Sequence, residues 1–374
     1  IGYDNFSDNT YLVTCRTASY TITSRFEKIK DTDFSHYTIQ PFDIDEIEVF
    51  FFKWYLCYER EINKRIETAE TEADKSLKKM MFVVKNDKNI FTIATNPLML
   101  TILALIEHEG GELPQDRGDL YAKCLRLLSG SWEKLRSLYE SEKPEFTLGN
   151  KKITEDFIVY YLGPIAFDMH EKAQPDIEYE VLKEELTKKF DLRNKDLLLS
   201  KEQAGDFIQI MKERSGILQE VSPGRYGFIH LTFKEYLAAR NLTDLSDDSI
   251  EKLGNNLFKP EWKEVVLLTV TSLKRRAASN FIKDVFEKDQ NGFQNLILAG
   301  ECLLVLSRDK IDERLYDNLV KEMSKVIAED IPVKDRVAVG EILGWLGDTR
   351  DLKEFIPVAK GKYTLRRGEV DIKP

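Results

Sequence analysis

The sequence predicts a mainly α-helical protein in which a winged helix is followed by stacked helix pairs. Three observations carry this. Most segments space their apolar residues three and four apart, as in ERLYDNLVKEMSKVI at 313–327, the period of an amphipathic helix. Two short β-rich runs, GILQEV at 216–221 and YGFI at 226–229, flank the turn SPGR and follow a series of helices; a hairpin after helices is the pattern of a winged helix. From about residue 249 the chain reads as amphipathic runs separated by short polar turns, the spacing of a HEAT-type α-solenoid.

A chain of 374 residues is too long for one compact core and fits two to four domains. Hydrophobic residues at 42% and charged residues at 32% describe a folded chain with a heavily charged surface. The net charge of -10 counts against nucleic acid as a partner, because phosphate contacts need a basic field. The cysteines, Cys15, Cys57, Cys124 and Cys302, lie far apart with no C-x-x-C spacing. That predicts a reduced, cytoplasmic chain without structural zinc. The longest apolar stretch, NPLMLTILALI at 96–106, is too short to span a bilayer. The chain opens on Ile1 in mid-pattern without a signal peptide, and we expect a fragment of a longer polypeptide.

The elements follow in order. YLVTC at 11–15 and HYTIQPF at 36–42 read as strands. Asp43, with Glu46 three residues on, opens a helix by a capping box. Charges between Glu59 and Lys79 mark a solvated helical stretch. Asn96 is the N-cap and Pro97 the first residue of the next helix, where the missing proline N–H costs nothing; Gly110 and Gly111 end it. A further helix runs through RGDLYAKCLRLL at 117–128, and SEKPEFTLGNKK at 141–152 is a polar linker. Helices from 153, around 178–190 and at 201–214 precede the hairpin. Thr232 and Glu235 have capping-box spacing at the start of the helix after it, with His230 two residues before. Residues 353–374 alternate like strands and look like the start of a further domain.

Catalytic chemistry is missing from the motifs. The sequence has no G-x-x-x-x-G-K-[ST], no H-E-x-x-H, no G-x-S-x-G and no Cys/His cluster with ligand spacing. His170 reads as an isolated surface or core histidine, and acidic pairs such as Asp247–Asp248 as caps and solvation.

Four segments nevertheless add up: YLVTCRTASY, YTIQPFDIDEIEVFFFKWY, NPLMLTILALIEHEGGELPQDRGDLYAKCLRLL and FIHLTFKEYLAA. Their order over residues 10 to 245 resembles the NACHT-type STAND NTPases, relatives of animal NOD-like receptors found in bacteria. The resemblance implies an end of a P-loop α/β core at 1–43, a helical domain at 44–143, a winged helix at 144–245 and HEAT-like repeats at 246–352. The tail 353–374 is weakly similar to the first strand of formylglycine-generating-enzyme-like domains.

The resemblance also implies roles. Arg16, after Thr14 and Cys15, takes the place of the sensor-1 arginine facing the γ-phosphate, a task that suits a planar guanidinium that never deprotonates. Pro97 takes the place of the proline lying against the adenine. His230 takes the place of the winged-helix histidine that reaches the β-phosphate of ADP. The cofactor would be ATP or ADP, with Mg in the parent protein. Walker A and Walker B are absent from this chain, so the resemblance implies half a nucleotide site and no hydrolysis by the chain alone. The parent would rest closed on ADP, form a homo-oligomer when a protein or other trigger meets the repeats, and serve in bacterial defence. The alternative is a nucleotide-independent helical scaffold binding a protein partner, and a winged-helix DNA-binding regulator is a third reading.

Overall fold

A computed structural model describes residues 35, 37–63, 66–108, 113, 117–131, 147–245, 249–288, 293–348, 361–365 and 368–372. Helix dominates these residues. The strand expected at 11–15 and Arg16 lie outside them.

The first helices obey their caps. In α1 (Ile44–Asn63) the Asp43 Oδ1 accepts from the N–H of Asp45 and Glu46 at 3.0 and 2.9 Å, and Glu46 Oε2 accepts from the Asp43 N–H at 2.9 Å. Both halves of the capping box are therefore made. Residues 37–43 carry no strand ladder, against the expectation for 36–42. Pro41 has no N–H to give, and Phe42 N–H bonds instead to the Thr95 carbonyl at 2.9 Å. Helices α2 (Ile66–Asn86), α3 (Lys88–Ala94) and α4 (Pro97–His108) follow. The Asn96 Oδ1 caps α4, accepting from Leu98 and Met99 N–H at 2.9 and 3.2 Å. Met99, Leu100 and every residue from Ile102 to Glu107 are buried, so α4 is the core of its unit.

Helix α5 (Arg117–Arg126) runs into a π-helical turn at Leu127–Ser131. The stretch read as a linker contains a small hairpin, β1 (Thr147–Leu148) with β2 (Lys151–Lys152). Then come α6 (Glu155–Glu171), β3 (Ile177–Glu178), α7 (Tyr179–Asn194), α8 (Leu197–Glu213), β4 (Leu218–Ser222), β5 (Arg225–Phe228) and α9 (Leu231–Leu245). The hairpin β4–β5 turns through Pro223 and Gly224, the latter at φ +71°, a conformation glycine adopts without a Cβ penalty. β3 adds to the other edge of β5, giving the antiparallel order β3-β5-β4. Three helices and a three-stranded wing make a winged helix. Its core stacks Tyr161 on Phe190 at 4.0 Å between ring centroids, with Phe157 and Phe207 beside them, and aromatic pairs of this kind stabilise by about 0.5–1.5 kcal/mol beyond their buried area.

Two local rules are broken inside this unit. Pro164 sits in the interior of α6, where it cannot donate to the Tyr160 carbonyl one turn back. The Lys189 ammonium takes that carbonyl at 3.0 Å. Gly163 lets α9 approach: a Cβ there would meet the Leu237 carbonyl oxygen and Asn241 Cβ at 3.3 Å. Helix α9 packs on α6 on one side and on α11 (Lys263–Ser272) on the other. Every residue from Phe233 to Ala239 is buried as a result, the mark of a helix enclosed all round.

Helices α10 (Ser249–Leu253), α11, α12 (Arg275–Glu287), α13 (Gln294–Val305), α14 (Glu313–Val326) and α15 (Val333–Leu346) complete the helical part. α11 packs on α12, α12 on α13, and α14 and α15 both on α13. Asp312 caps α14 by accepting from Arg314 and Leu315 N–H. The strand-like tail forms the antiparallel hairpin β6 (Gly361–Leu365) with β7 (Gly368–Ile372). No helix among the described residues is long and apolar enough to cross a membrane.

Candidate functional site

The residue before Pro97 meets His230 in the fold. Asn96 Nδ2 lies 2.7 Å from His230 Nε2, which sets Pro97 beside the imidazole although 134 positions separate the bonded pair. Pro97 is exposed and His230 half-buried. The Asn96 amide has its direction fixed, because its oxygen is spent on the cap of α4. Its nitrogen is therefore the atom facing the ring, and an amide nitrogen only donates. His230 Nε2 thus faces a donor, and on the other side of the ring Nδ1 accepts from the Thr232 N–H at 3.3 Å and lies 2.9 Å from the Thr232 hydroxyl.

This arrangement replaces the capping box expected at Thr232. Helix α9 starts at Leu231, and Phe233 N–H bonds to the His230 carbonyl at 3.2 Å. His230 thus occupies the cap position, with its ring turned onto Thr232. Glu235 is buried instead of reaching back along the helix surface. The physical reason is the packing of α9 between α6 and α11, which buries the chain from Phe233 to Ala239 although Leu231 stays exposed.

Behind the histidine lies a buried ionic group. The Thr232 hydroxyl hydrogen-bonds to the Tyr121 phenol, whose pKa is pushed up to about 12 by burial. Arg117, at the start of α5, pairs with Glu264 at the start of α11. Glu235 is held at about pKa 7, first by burial and then by the charge of Glu264, against the opposing pull of Lys234 and Arg117. Two carboxylates and one guanidinium in a poorly hydrated place favour a proton on one carboxylate. Lys234 is likewise pushed down by burial, and its ammonium bonds to the Gln174 carbonyl at 3.2 Å. His170, read as a surface or core histidine, is a core one: it bonds to the Glu261 carbonyl at 3.0 Å, lies edge-on to Trp262, and burial lowers its pKa.

Asn96 as the partner of His230, and Tyr121 with the Arg117–Glu264–Glu235 group beyond Thr232, were missed from sequence. Asn96 carried a usable signal: a cap consumes only the amide oxygen and leaves two N–H donors. The others carried none, since they meet only when α5, α9 and α11 pack.

The winged helix thus carries a cap histidine that faces a neighbouring helical unit. Residues 117–242 match the family model of the winged helix-turn-helix domain C-terminal to NACHT. The matched region is thus similar to a NACHT-associated winged helix, and it contains His230. No curated protein matches the chain.

Proposed function

We propose that this chain is the latch half of a NACHT-type nucleotide switch, with Pro97 and His230 at the edge of an ATP or ADP site. The observation that carries this reading is the Asn96–His230 contact, which joins the helical unit to the winged helix through a half-buried histidine. The residues fit the periphery of a nucleotide. Pro97 offers an exposed apolar ring, and His230 offers a nitrogen whose current partner, an amide, is exchangeable. No residue of this sequence supplies the G-x-x-x-x-G-K-[ST] cradle, so a P-loop domain must bring the phosphates. A bound nucleotide supplies the anionic charge that the latch recognises.

His230 then acts by proton position. Facing Asn96, Nε2 accepts; facing a phosphate oxygen, it must donate. Engagement therefore requires a proton on Nε2 and the Asn96 amide to give way. Nearby negative charge favours the imidazolium, so the latch responds to charge and not merely to shape. Homo-oligomerisation on release, a trigger acting at the helices after 249 and a role in bacterial defence complete the proposal. The experiment pairs this chain with the NTPase core that supplies the P-loop and follows release of labelled ADP. His230→Ala should speed release about ten- to hundredfold, the equivalent of one hydrogen bond to a charged group at roughly 1.5–3 kcal/mol. An unchanged release rate with a destabilised variant would make His230 a purely structural cap.

A further inference from the structure

A second site lies away from the latch. A cavity of about 550 Å3 opens between α5, α9, α11, α12 and the turn at Arg308–Lys310. Four cations line it, Arg240, Lys274, Arg275 and Lys310, against one carboxylate, Asp119. In a chain of net charge -10 this local excess runs against the whole. Arg240 is held by Glu155 at 2.7 Å and Lys310 by Asp119 at 3.1 Å. Lys274 and Arg275 make no salt bridge among the described residues. They also begin α12, whose cap residue Lys274 gives no side-chain acceptor and whose first turn holds no acid. The positive end of a thirteen-residue helix and two exposed cations, of which Arg275 feels the charge of Asp309 outside the lining, therefore open onto one cavity. Such an arrangement keeps an excess of positive charge that an entering anion would offset.

We propose that this cavity binds a small soluble ligand carrying at least two phosphate groups. One carboxylate would satisfy one cation, whereas a phosphate presents three oxygens to guanidinium forks, ammonium groups and backbone N–H groups together. The volume matches small-ligand sites, roughly 300–1,000 Å3. Ala122, Leu273 and the Tyr236 ring supply an apolar wall for the rest of the ligand. Since Arg240 comes from the winged helix and Lys274, Arg275 and Lys310 from the helices after it, occupancy ties the two segments together. None of these residues belongs to the nucleotide edge at Pro97 and His230, so the two readings stand or fall separately.

The test is calorimetric titration of the chain at low salt with inorganic tripolyphosphate. Wild type, the Lys274→Ala/Arg275→Ala double variant and His230→Ala are compared, with melting temperatures of the unliganded proteins. Saturable binding is expected in wild type and equally in His230→Ala. The double variant should bind at least about tenfold more weakly while melting close to wild type, because both side chains are exposed and make no salt bridge among the described residues. Orthophosphate should bind much more weakly than tripolyphosphate. Absence of saturable binding, equal affinity in the double variant, equal affinity for orthophosphate, or loss of binding in His230→Ala alone would each overturn the proposal.

Discussion

Asn96 and His230 cap two different helices and share one hydrogen bond. The asparagine oxygen closes the first turn of α4, its nitrogen reaches the imidazole that heads α9, and the distance between them is 2.7 Å. The contact couples two units by using the donor that helix capping leaves over. Its polarity is set by the cap, so a change at either end has a calculable sign.

Asn96→Asp keeps the cap, since aspartate serves there as well as asparagine, but turns the group facing His230 from donor to acceptor. The imidazolium gains a partner, so protonation of His230 is more favourable in this variant than in wild type. That stabilisation is fully present below the unfolded pKa and is lost as pH rises through the folded one. Relative to wild type, the variant should gain about 1 kcal/mol on going from pH 8 to pH 5. Urea denaturation at the two pH values measures it. A pH-independent difference would mean that the amide nitrogen does not face the ring.

Glu235 titrates at about 7 in the folded protein, well above an unfolded carboxyl. Here too the raised pKa means that its contribution is whole below about pH 4.3 and is lost as pH climbs toward 7. Glu235→Gln imitates the protonated form at every pH. The variant should be close to wild type at pH 5 and more stable by roughly 1–3 kcal/mol at pH 8. Thermal melts across this range check it. A destabilised variant at pH 8 would show that ionised Glu235 is favourably paired, as a salt-bridge partner of Arg117.

Gly118 lies where α5 touches α11: an added Cβ would come within 2.4 Å of the Thr271 hydroxyl and 3.0 Å of its Cβ. The obstacle is a short side chain on a buried helix, which has nowhere to swing. Gly118→Ala should destabilise by about 1–3 kcal/mol. Thr271→Ala in the same chain removes the nearer atom and should recover part of the loss, which chemical denaturation of the single and double variants would reveal.

Pro164 and Lys189 form a pair of opposite defects. Lys189→Met frees the Tyr160 carbonyl and should cost about 1 kcal/mol. In a Pro164→Ala background the restored N–H can take that carbonyl, so the same lysine substitution should cost measurably less. A double-mutant cycle by urea denaturation gives the coupling; zero coupling would mean that Lys189 acts through its cation–π contact with the Tyr160 ring, 4.8 Å away.

Local signals were legible because local physics produces them. The Asp43–Glu46 box, the Asn96–Pro97 helix start, the Pro223–Gly224 turn and the amphipathic runs after 249 need only neighbours in the chain. The strand expected at 36–42 failed because a strand needs a partner, and Pro41 with the Thr95 carbonyl offered another solution. β3, two residues long, carried no pattern of its own and exists because β5 had an open edge. At the site, sequence picked Pro97 and His230 separately, through a resemblance.

What the sequence by itself determined is where helices start, where the wing turns and which faces are apolar, since each depends on residues within a turn or two. Tertiary structure alone decided that Asn96 meets His230, that Glu235 loses its water and caps nothing, and that Lys274 and Arg275 share a cavity with Arg240. Those outcomes depend on α9 being enclosed by α6 and α11 and on α12 folding back beside them. Burial and charge proximity are set by distances between segments far apart in the chain, and no local pattern records those distances.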